Sequence, residues 1–408
     1  MGKQRSDAEK QVAELLVIAR DALNLSLAFM TRMDGTTQHL EVVESALPLV
    51  FKDGNTQPQE TSFCQAVLDG KLPAVMPNVK AFPEAMKLPS AKWPRLRSFV
   101  SVPVILSDGT TYGTFCAAGF TADKELTKRD KALMEVLAHA AAVIIEPGVR
   151  LDATFAEIEA RLAPILRGHG PAVVLQPIVE LATGTRVGAE ALSRFPREWE
   201  LPPDLCFADA HRVGQGHQLE MLALERAADY LDEVSGYVAM NVSSATLMLP
   251  SCSELLAQFR LGRVVLELSE HDRVDNYDEL HAVLAPLRAG GMQLAIDDVG
   301  AGFSSLRHIV LTRPDVIKID RTLVDGVSRD PVLSTLVRAL VEFAHGSGAR
   351  VVAEGIETAD DAEALLELAV DYGQGWYYGR PGPAADLTNG VLTRAAQLRS
   401  PRTVASGT

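Results

Sequence analysis

The sequence predicts an α/β protein in two parts, an N-terminal α+β unit and a C-terminal (β/α) barrel, joined by a helix. Three observations predict this. At 408 residues the chain exceeds one ordinary hydrophobic core and fits two or three domains of ~150 residues. Its first third reads as helices and antiparallel strands. From Ala172 onward, apolar runs of strand length alternate with longer helical segments, the pattern of a mostly parallel sheet covered by helices. About eight such runs occur, the number that closes a barrel.

Composition narrows the function classes. Hydrophobic residues make up 47% and charged residues 23%, as in soluble globular proteins rather than disordered chains. A formal net charge of −14 speaks against nonspecific binding to a nucleic-acid polymer or an anionic membrane. Cys64, Cys116, Cys206 and Cys252 lie far apart with no CxxC pair, so neither a zinc knuckle nor a disulfide framework is implied, and a reducing, cytoplasmic location is expected. The N-terminus has no apolar core of the signal-peptide kind. The longest apolar stretch, Ala132 to Ile145, is interrupted by Glu135 and His139 and is too short to span a bilayer, so no membrane span is expected.

In order along the chain, Ala8 to Leu25 has helical periodicity, with Val12, Leu15, Leu16, Ala19 and Leu23 on one side. Strands follow at Ser26–Met33 and His39–Glu44 around an Asp34-Gly35 turn. Thr61 or Ser62 is placed to cap a short helix, and Leu72–Met76 reads as a strand. Ser98–Leu106 and Tyr112–Phe120 form a long hairpin, and Leu126–Ile145 a closing helix capped by Thr127. Glu146-Pro147-Gly148 marks the expected end of that helix. Beyond it, Leu151, Phe155, Ile158 and Leu162 form a second apolar stripe. Such a stripe packs on its own domain or on the same helix of a second copy. Helices that join a sensor to an output domain commonly pair, and a homodimer is expected on that basis.

The Ser62-Phe63-Cys64-Gln65, Leu72-Pro73-Ala74-Val75-Met76-Pro77-Asn78 and Ser101-Val102-Pro103 stretches, in this element order, resemble a GAF domain. The resemblance implies a sensory module; its ligand is unknown. The expected boundaries are a GAF-like sensor at 1–146, a helical linker at 147–171, the barrel at 172–396 and a tail at 397–408.

Chemistry collects at the ends of the barrel strands. Glu190 lies in the second candidate strand, Asn241 ends the third, Glu267 and Glu270 close the fourth, and Asp297-Asp298 the fifth. Lys318 and Asp320 sit at the sixth, Glu354 and Glu357 at the seventh. Asp-Asp before Gly300 is also ordinary turn chemistry. Yet strands of a barrel deliver their ends to one rim, and that many carboxylates at one mouth repel each other unless divalent cations lie among them. The donors are oxygens, without histidine or cysteine, which favours Mg²⁺ or Mn²⁺ over zinc or copper. A shared aspartate in such a set suits two metals that clamp an in-line displacement at phosphorus.

Nine motifs in order carry a second resemblance. Glu190-Ala191-Leu192, preceded by Gln176-Pro177-Ile178, is followed by Asn241-Val242-Ser243, Glu267-Leu268-Ser269-Glu270, Asp297-Asp298, Lys318-Ile319-Asp320, Ala353-Glu354-Gly355-Ile356-Glu357-Thr358, Gln374-Gly375 and Arg380-Pro381. Together they resemble the EAL family of cyclic di-GMP phosphodiesterases from about Ala172 to Arg394. The resemblance implies that Glu190, Asn241, Glu267 and Asp297 hold one metal ion and that Asp297 and Asp298 hold a second. It implies that Glu190, Lys318 and Glu354 are catalytic, with either Lys318 or Glu354 taking the proton of the attacking water. It further implies that Gln176, Leu192, Arg194, Asp320, Glu357, Gln374 and Arg380 contact the dinucleotide, that Glu270 anchors the loop after the paired aspartates, and that the product is linear pGpG. Read singly, Arg194 also suits a surface ion pair, Gln176 a strand end and Asp320 a helix cap. An alternative is a catalytically silent receptor that binds cyclic di-GMP and signals through conformation or protein contacts.

The chain departs from this pattern at Val299, Ala301 and Phe303, where the family has Phe, Thr and Tyr; a more mobile or differently held loop is expected. His211 replaces a usual acid, and Trp376 a usual Tyr.

Overall fold

The computed structural model describes residues 5–45, 51–300 and 306–389. Residues 301–305, with the Ala301 and Phe303 departures, and the C-terminal tail lie outside the described residues. The contacts fall into two units, dividing between Thr154 and Phe155.

In the first unit, β1 (Leu27–Met33), β2 (Thr37–Ser45), β3 (Thr56–Pro58), β4 (Val75–Met76), β5 (Ser98–Ile105) and β6 (Thr111–Gly119) form one sheet in the order β3-β2-β1-β6-β5-β4. Its neighbours pair antiparallel. Alternation along each strand makes two cores. Ala28, Met30, Val100, Val102, Phe115 and Ala117 face the helices Asp7–Ala22 and Lys128–Arg167. Leu27, Phe29, Phe99, Cys116 and Ala118 face the connecting segment that carries the helix Phe63–Leu68. Ser6 and Glu9 form a reciprocal capping box at the first helix, and Ser62 caps Phe63–Leu68 by accepting from Gln65 N. The expected strand at Leu72–Met76 is reduced to Val75–Met76.

The expected helix end at Glu146-Pro147-Gly148 is not observed: the helix runs unbroken from Lys128 to Arg167. A proline inside a helix removes one N–H donor and crowds the carbonyl four residues earlier. Here Pro147 and Val143 are both exposed, so water can satisfy that carbonyl. Glu146 also spans the interruption, with Arg150 Nη2 2.6 Å from its Oε1. By length and apolar content this helix would suffice to cross a membrane. Its apolar residues Met134, Leu137, Ala138, Ala141, Ala142 and Ile145 are instead buried in the core of the first unit. The second stripe splits: Leu151 is exposed, whereas Ile158 and Leu162 are buried against Ala210 and Leu219 of the second unit.

The second unit is a closed barrel, in sequential order around the ring, of β7 (Ala172–Glu180), β8 (Arg186–Arg194), β9 (Tyr237–Asn241), β10 (Val264–Ser269), β11 (Gln293–Val299), β12 (Val316–Ile319), β13 (Arg350–Ala353) and β14 (Tyr372–Gln374). The eight strands match the number expected. One feature was not expected: β7 runs antiparallel to both its neighbours, while the other pairs are parallel. The tight Thr183-Gly184 turn after β7 explains this, because a parallel return needs a long crossover.

Period-two alternation builds the barrel interior in layers. Ile178, Ala239, Val265, Ala295, Val316 and Val352 fill one apolar layer. Two residues further along their strands come Asn241, Glu267, Asp297 and Lys318, with Glu354 just past β13. The intervening residues Met240, Leu266, Ile296, Ile317 and Ala353 point outward to the helices.

Candidate metal centre and active site

Asp297 and Asp298 would project to opposite faces of a regular strand. The ladder between β11 and β12 shifts register between Ile296 and Val299, and Asp298 takes a left-handed φ of 59°. This bulge turns both carboxylates toward the mouth of the barrel. Oxygens of Glu190, Glu267 and Asp297 lie within 4.8 Å of one another, as do those of Asp297, Asp298 and Glu354. Asp297 belongs to both triads.

Lys318 lies among them. Its Nζ is 2.7 Å from Glu354 Oε1, 3.0 Å from Glu267 Oε1, 3.0 Å from Asp297 Oδ1 and 3.5 Å from Glu190 Oε2, as ion pairs rather than aligned hydrogen bonds. The residue is 1% exposed. Burial alone would lower its pKa, but the four carboxylates outweigh burial and hold it well above the ordinary lysine range.

The acids divide by environment. Burial drives Glu267 and Glu354 well above the usual carboxylate range, and neighbouring carboxylates add to the shift. Burial and the charge of Asp297 push Asp298 up to about 6. For Glu190, burial acts upward but is outweighed by Lys318 and by two amides, Gln374 Nε2 donating at 2.6 Å and Asn241 Nδ2 at 3.0 Å. With its nitrogen on Glu190, Asn241 is left with its carbonyl oxygen as the atom able to ligate a cation.

These residues fit a divalent-metal centre. One ammonium cannot balance five converging carboxylates, and Glu267 Oε2 is buried with no hydrogen-bond partner. An all-oxygen set with a bridging aspartate suits a hard cation.

The other expected residues are placed as follows. Gln176 accepts from Gln374 Nε2 and donates to Gly379 O, joining the Glu190 network. Gln176, Leu192, Glu357 and Gln374 line the cleft above the acids. Glu357 pairs with Arg321 at 2.9 Å. Arg321 also lines this cleft; the only sequence signal for it is adjacency to the Lys318-Ile319-Asp320 motif. Trp376, which sequence reasoning left outside the site, lines it too and carries the Arg380 guanidinium 4.1 Å from its ring centroid. Arg194 lies in an adjoining pocket with Leu192, Phe207 and Asn241, its Nη1 donating to Ser193 O. Asp320 caps Arg321–Val324 by accepting from Thr322 N at 2.8 Å. Glu270 is buried, its N–H donates to Asp297 O, and its Oε2 accepts from Gly300 N at 3.3 Å. Val299 is buried in the core.

Residues 160–381 match the EAL domain family model, more than half of the chain. The chain belongs to the EAL-domain family. Residues 6–146 match the GAF domain model. The Escherichia coli K12 protein named probable cyclic di-GMP phosphodiesterase PdeB is 31% identical over 241 residues, covering 56% of this chain and 46% of that protein. Cyclic di-GMP phosphodiesterase PdeL of the same organism is 28% identical over 223 residues, covering 51% and 62%. The chain thus spans about half the length of these curated relatives. The solved PaMucR phosphodiesterase in complex with c-di-GMP is 27% identical with a TM-score of 0.50, covering 57% of this chain and 99% of that one.

Beside the EAL site, a second buried network steadies the strand that carries Asn241. Glu220 accepts from Ser243 N and Oγ at 2.9 and 2.8 Å and contacts His211 Nε2 at 2.6 Å. His211, the departure noted in the sequence, therefore pairs with a buried acid rather than with the mouth of the barrel. Asp272 Oδ2 accepts from Ser244 N at 3.0 Å, and burial lifts Asp272 to about 6. A carboxyl raised in the folded state is protonated in both states below about pH 4 and disfavours folding as pH rises through 6. Asp272→Asn keeps the acceptor and removes the charge, so it is expected to stabilise the chain by about 2 kcal/mol at pH 7 and by nearly nothing at pH 4. Thermal unfolding of both chains across that range checks this; a pH-independent difference would contradict it.

Proposed function

We propose that this protein hydrolyses cyclic di-GMP to linear pGpG in a divalent-metal-dependent reaction, and that its GAF unit regulates the activity. The observation that carries this reading is the convergence of Glu190, Asn241, Glu267, Asp297, Asp298, Lys318 and Glu354 from six successive strands onto one mouth of the barrel, in two overlapping triads. Glu190, Asn241, Glu267 and Asp297 would hold one ion, and Asp297 with Asp298 the other. Bound there, Mg²⁺ or Mn²⁺ lowers the pKa of water and neutralises charge at the phosphodiester.

The chain's own residues supply the rest. Gln374 and Asn241 fix the rotamer of Glu190. Glu354, which lines the cleft, takes the proton of the attacking water, and the Lys318 ammonium 2.7 Å from its Oε1 holds it in place. Gln176, Leu192, Glu357, Gln374 and Arg380 bind and orient the dinucleotide, Arg194 engages a phosphate oxygen or the ring beyond it, and Asp320 contacts it from the rim. Glu270, through Gly300 N, sets the start of the loop after the paired aspartates.

The receptor alternative uses the same pocket without turnover. Retention of every proposed metal ligand favours the enzyme. The deciding experiment incubates the purified chain with cyclic di-GMP and Mg²⁺ or Mn²⁺ and separates the products. Appearance of pGpG supports hydrolysis; tight binding with no product supports the receptor. Replacing Mg²⁺ with Ca²⁺ is expected to stop turnover while leaving binding in place. Ca²⁺ takes more oxygens at about 2.3–2.6 Å, against about 2.0–2.1 Å for Mg²⁺, which loosens the clamp. Equal or faster turnover in Ca²⁺ would overturn that prediction.

A homodimer is part of this proposal. Val136, Val143 and Leu151 are exposed on the long helix, 67%, 60% and 47% respectively, and suit pairing with a second copy. A cytoplasmic location accords with the substrate, an intracellular messenger.

A further inference from the structure

We propose that Cys64 and Cys116 are an oxidisable dithiol within the GAF unit, a site at which a peroxide withdraws two electrons and the sulfurs close to a disulfide. The cysteines are 52 positions apart in sequence, yet their Sγ atoms are 3.4 Å apart. Cys64 is the second residue of the helix Phe63–Leu68, and Cys116 lies in the middle of β6. Both are free thiols, 2% and 0% exposed.

Both lie in the apolar core on this face of the sheet, but polar groups reach their sulfurs. Ser101 Oγ and Thr114 Oγ1 each lie 3.2 Å from Cys116 Sγ. Gln38 is wholly buried, its Nε2 has no hydrogen-bond acceptor, and its amide favours a negative Cys64 sulfur. Burial opposes ionisation of both thiols. At Cys64 the contacts from Cys116, Thr114 and Gln38 outweigh burial and lower its pKa, whereas Cys116 is held well above the ordinary thiol range. With the unpartnered Gln38 amide buried on the same face of the sheet and two hydroxyls at Cys116, Cys64 is assigned the attacking sulfur and Cys116 the resolving one.

The step balances as follows. The Cys64 thiolate attacks one peroxide oxygen, an S–O bond forms, the O–O bond breaks, and the departing hydroxide takes a proton to become water. The Cys116 thiol gives up its proton and attacks the Cys64 sulfenic acid; the S–S bond forms, the S–O bond breaks, and the hydroxyl leaves with that proton as a second water. The two sulfurs lose two electrons and the peroxide gains them. A dithiol reductant restores the pair by exchange. The bond would tie the connecting segment over the sheet to β6, and β6 leads into the long helix.

The test uses the reduced full-length chain. It is exposed to a small excess of hydrogen peroxide, quenched with N-ethylmaleimide in denaturant, and analysed by mass spectrometry. The expected result is a loss of two hydrogens, a linked Cys64–Cys116 peptide, Cys206 and Cys252 fully alkylated, and reversal by dithiothreitol. The oxidised chain should also unfold at a higher temperature than the reduced one. Cys64→Ala should leave Cys116 alkylatable, and Cys116→Ala should leave Cys64 trapped by dimedone as the sulfenic acid. Alkylation of both cysteines in the parent chain, under peroxide that oxidises free glutathione, would overturn the proposal, as would equal oxidation of all four cysteines.

Discussion

Lys318→Met is expected to destabilise the metal-free chain by about 3–5 kcal/mol at pH 7 and to eliminate hydrolysis of cyclic di-GMP. The side-chain volumes are similar, so the loss is electrostatic rather than a cavity. In the native chain this ammonium has carboxylates of Glu190, Glu267, Asp297 and Glu354 within 3.5 Å. Removing it leaves buried acids facing one another, and their pKa values rise further. A raised carboxyl contributes stability that is present at low pH and lost as pH rises. The deficit of the variant should therefore shrink between pH 7 and pH 4. It should shrink as well when Mg²⁺ or Mn²⁺ is added, with a larger rise in unfolding temperature for the variant than for the parent. Thermal scans in chelator, then in metal, at both pH values check this. An unfolding temperature equal to that of the parent in chelator would show that the acids carry no unbalanced charge.

The barrel was readable in the sequence because its rule is local. Most strands that carry site residues place an apolar residue inside, an apolar residue outside, and a polar residue inside again, as in Val265-Leu266-Glu267 and Val316-Ile317-Lys318, while Gly188-Ala189-Glu190 has glycine at the first position. What such a rule cannot supply is geometry that depends on partners from elsewhere in the chain. The reversed direction of β7 depends on a short turn, and the joint use of Asp297 and Asp298 depends on a bulge against β12. Lys318 could be read as a residue near cations, but not as the centre of four carboxylates. Pro147 and Gly148 were a sound breaker signal, overridden in a stretch where both Val143 and Pro147 are exposed to solvent. Cys64 and Cys116 looked unrelated at their separation; only the fold of the sheet brings them together.

Glu190→Gln is expected to reduce the turnover of cyclic di-GMP by at least about 10²-fold while changing the unfolding temperature little. The substitution keeps the shape of the side chain and removes its charge. Oε1 of Glu190 accepts from Asn241 Nδ2, and Oε2 from Gln374 Nε2. A primary amide can answer one of those donors but presents its own N–H₂ to the other, so the rotamer loosens as the charge is lost. Lys318 retains three of its carboxylate neighbours, which is why folding should tolerate the change better than Lys318→Met. The metal concentration giving half-maximal rate should rise, because one anionic ligand of the first triad has become neutral. Binding of cyclic di-GMP in Ca²⁺ should weaken far less than turnover, since Gln176, Glu357 and Gln374 still line the cleft. Measuring kcat, the metal titration and Ca²⁺-supported binding on one preparation separates these effects. A variant with undiminished kcat and an unshifted metal titration would remove Glu190 from the metal centre, and with it the reading of this barrel mouth as a phosphodiesterase site.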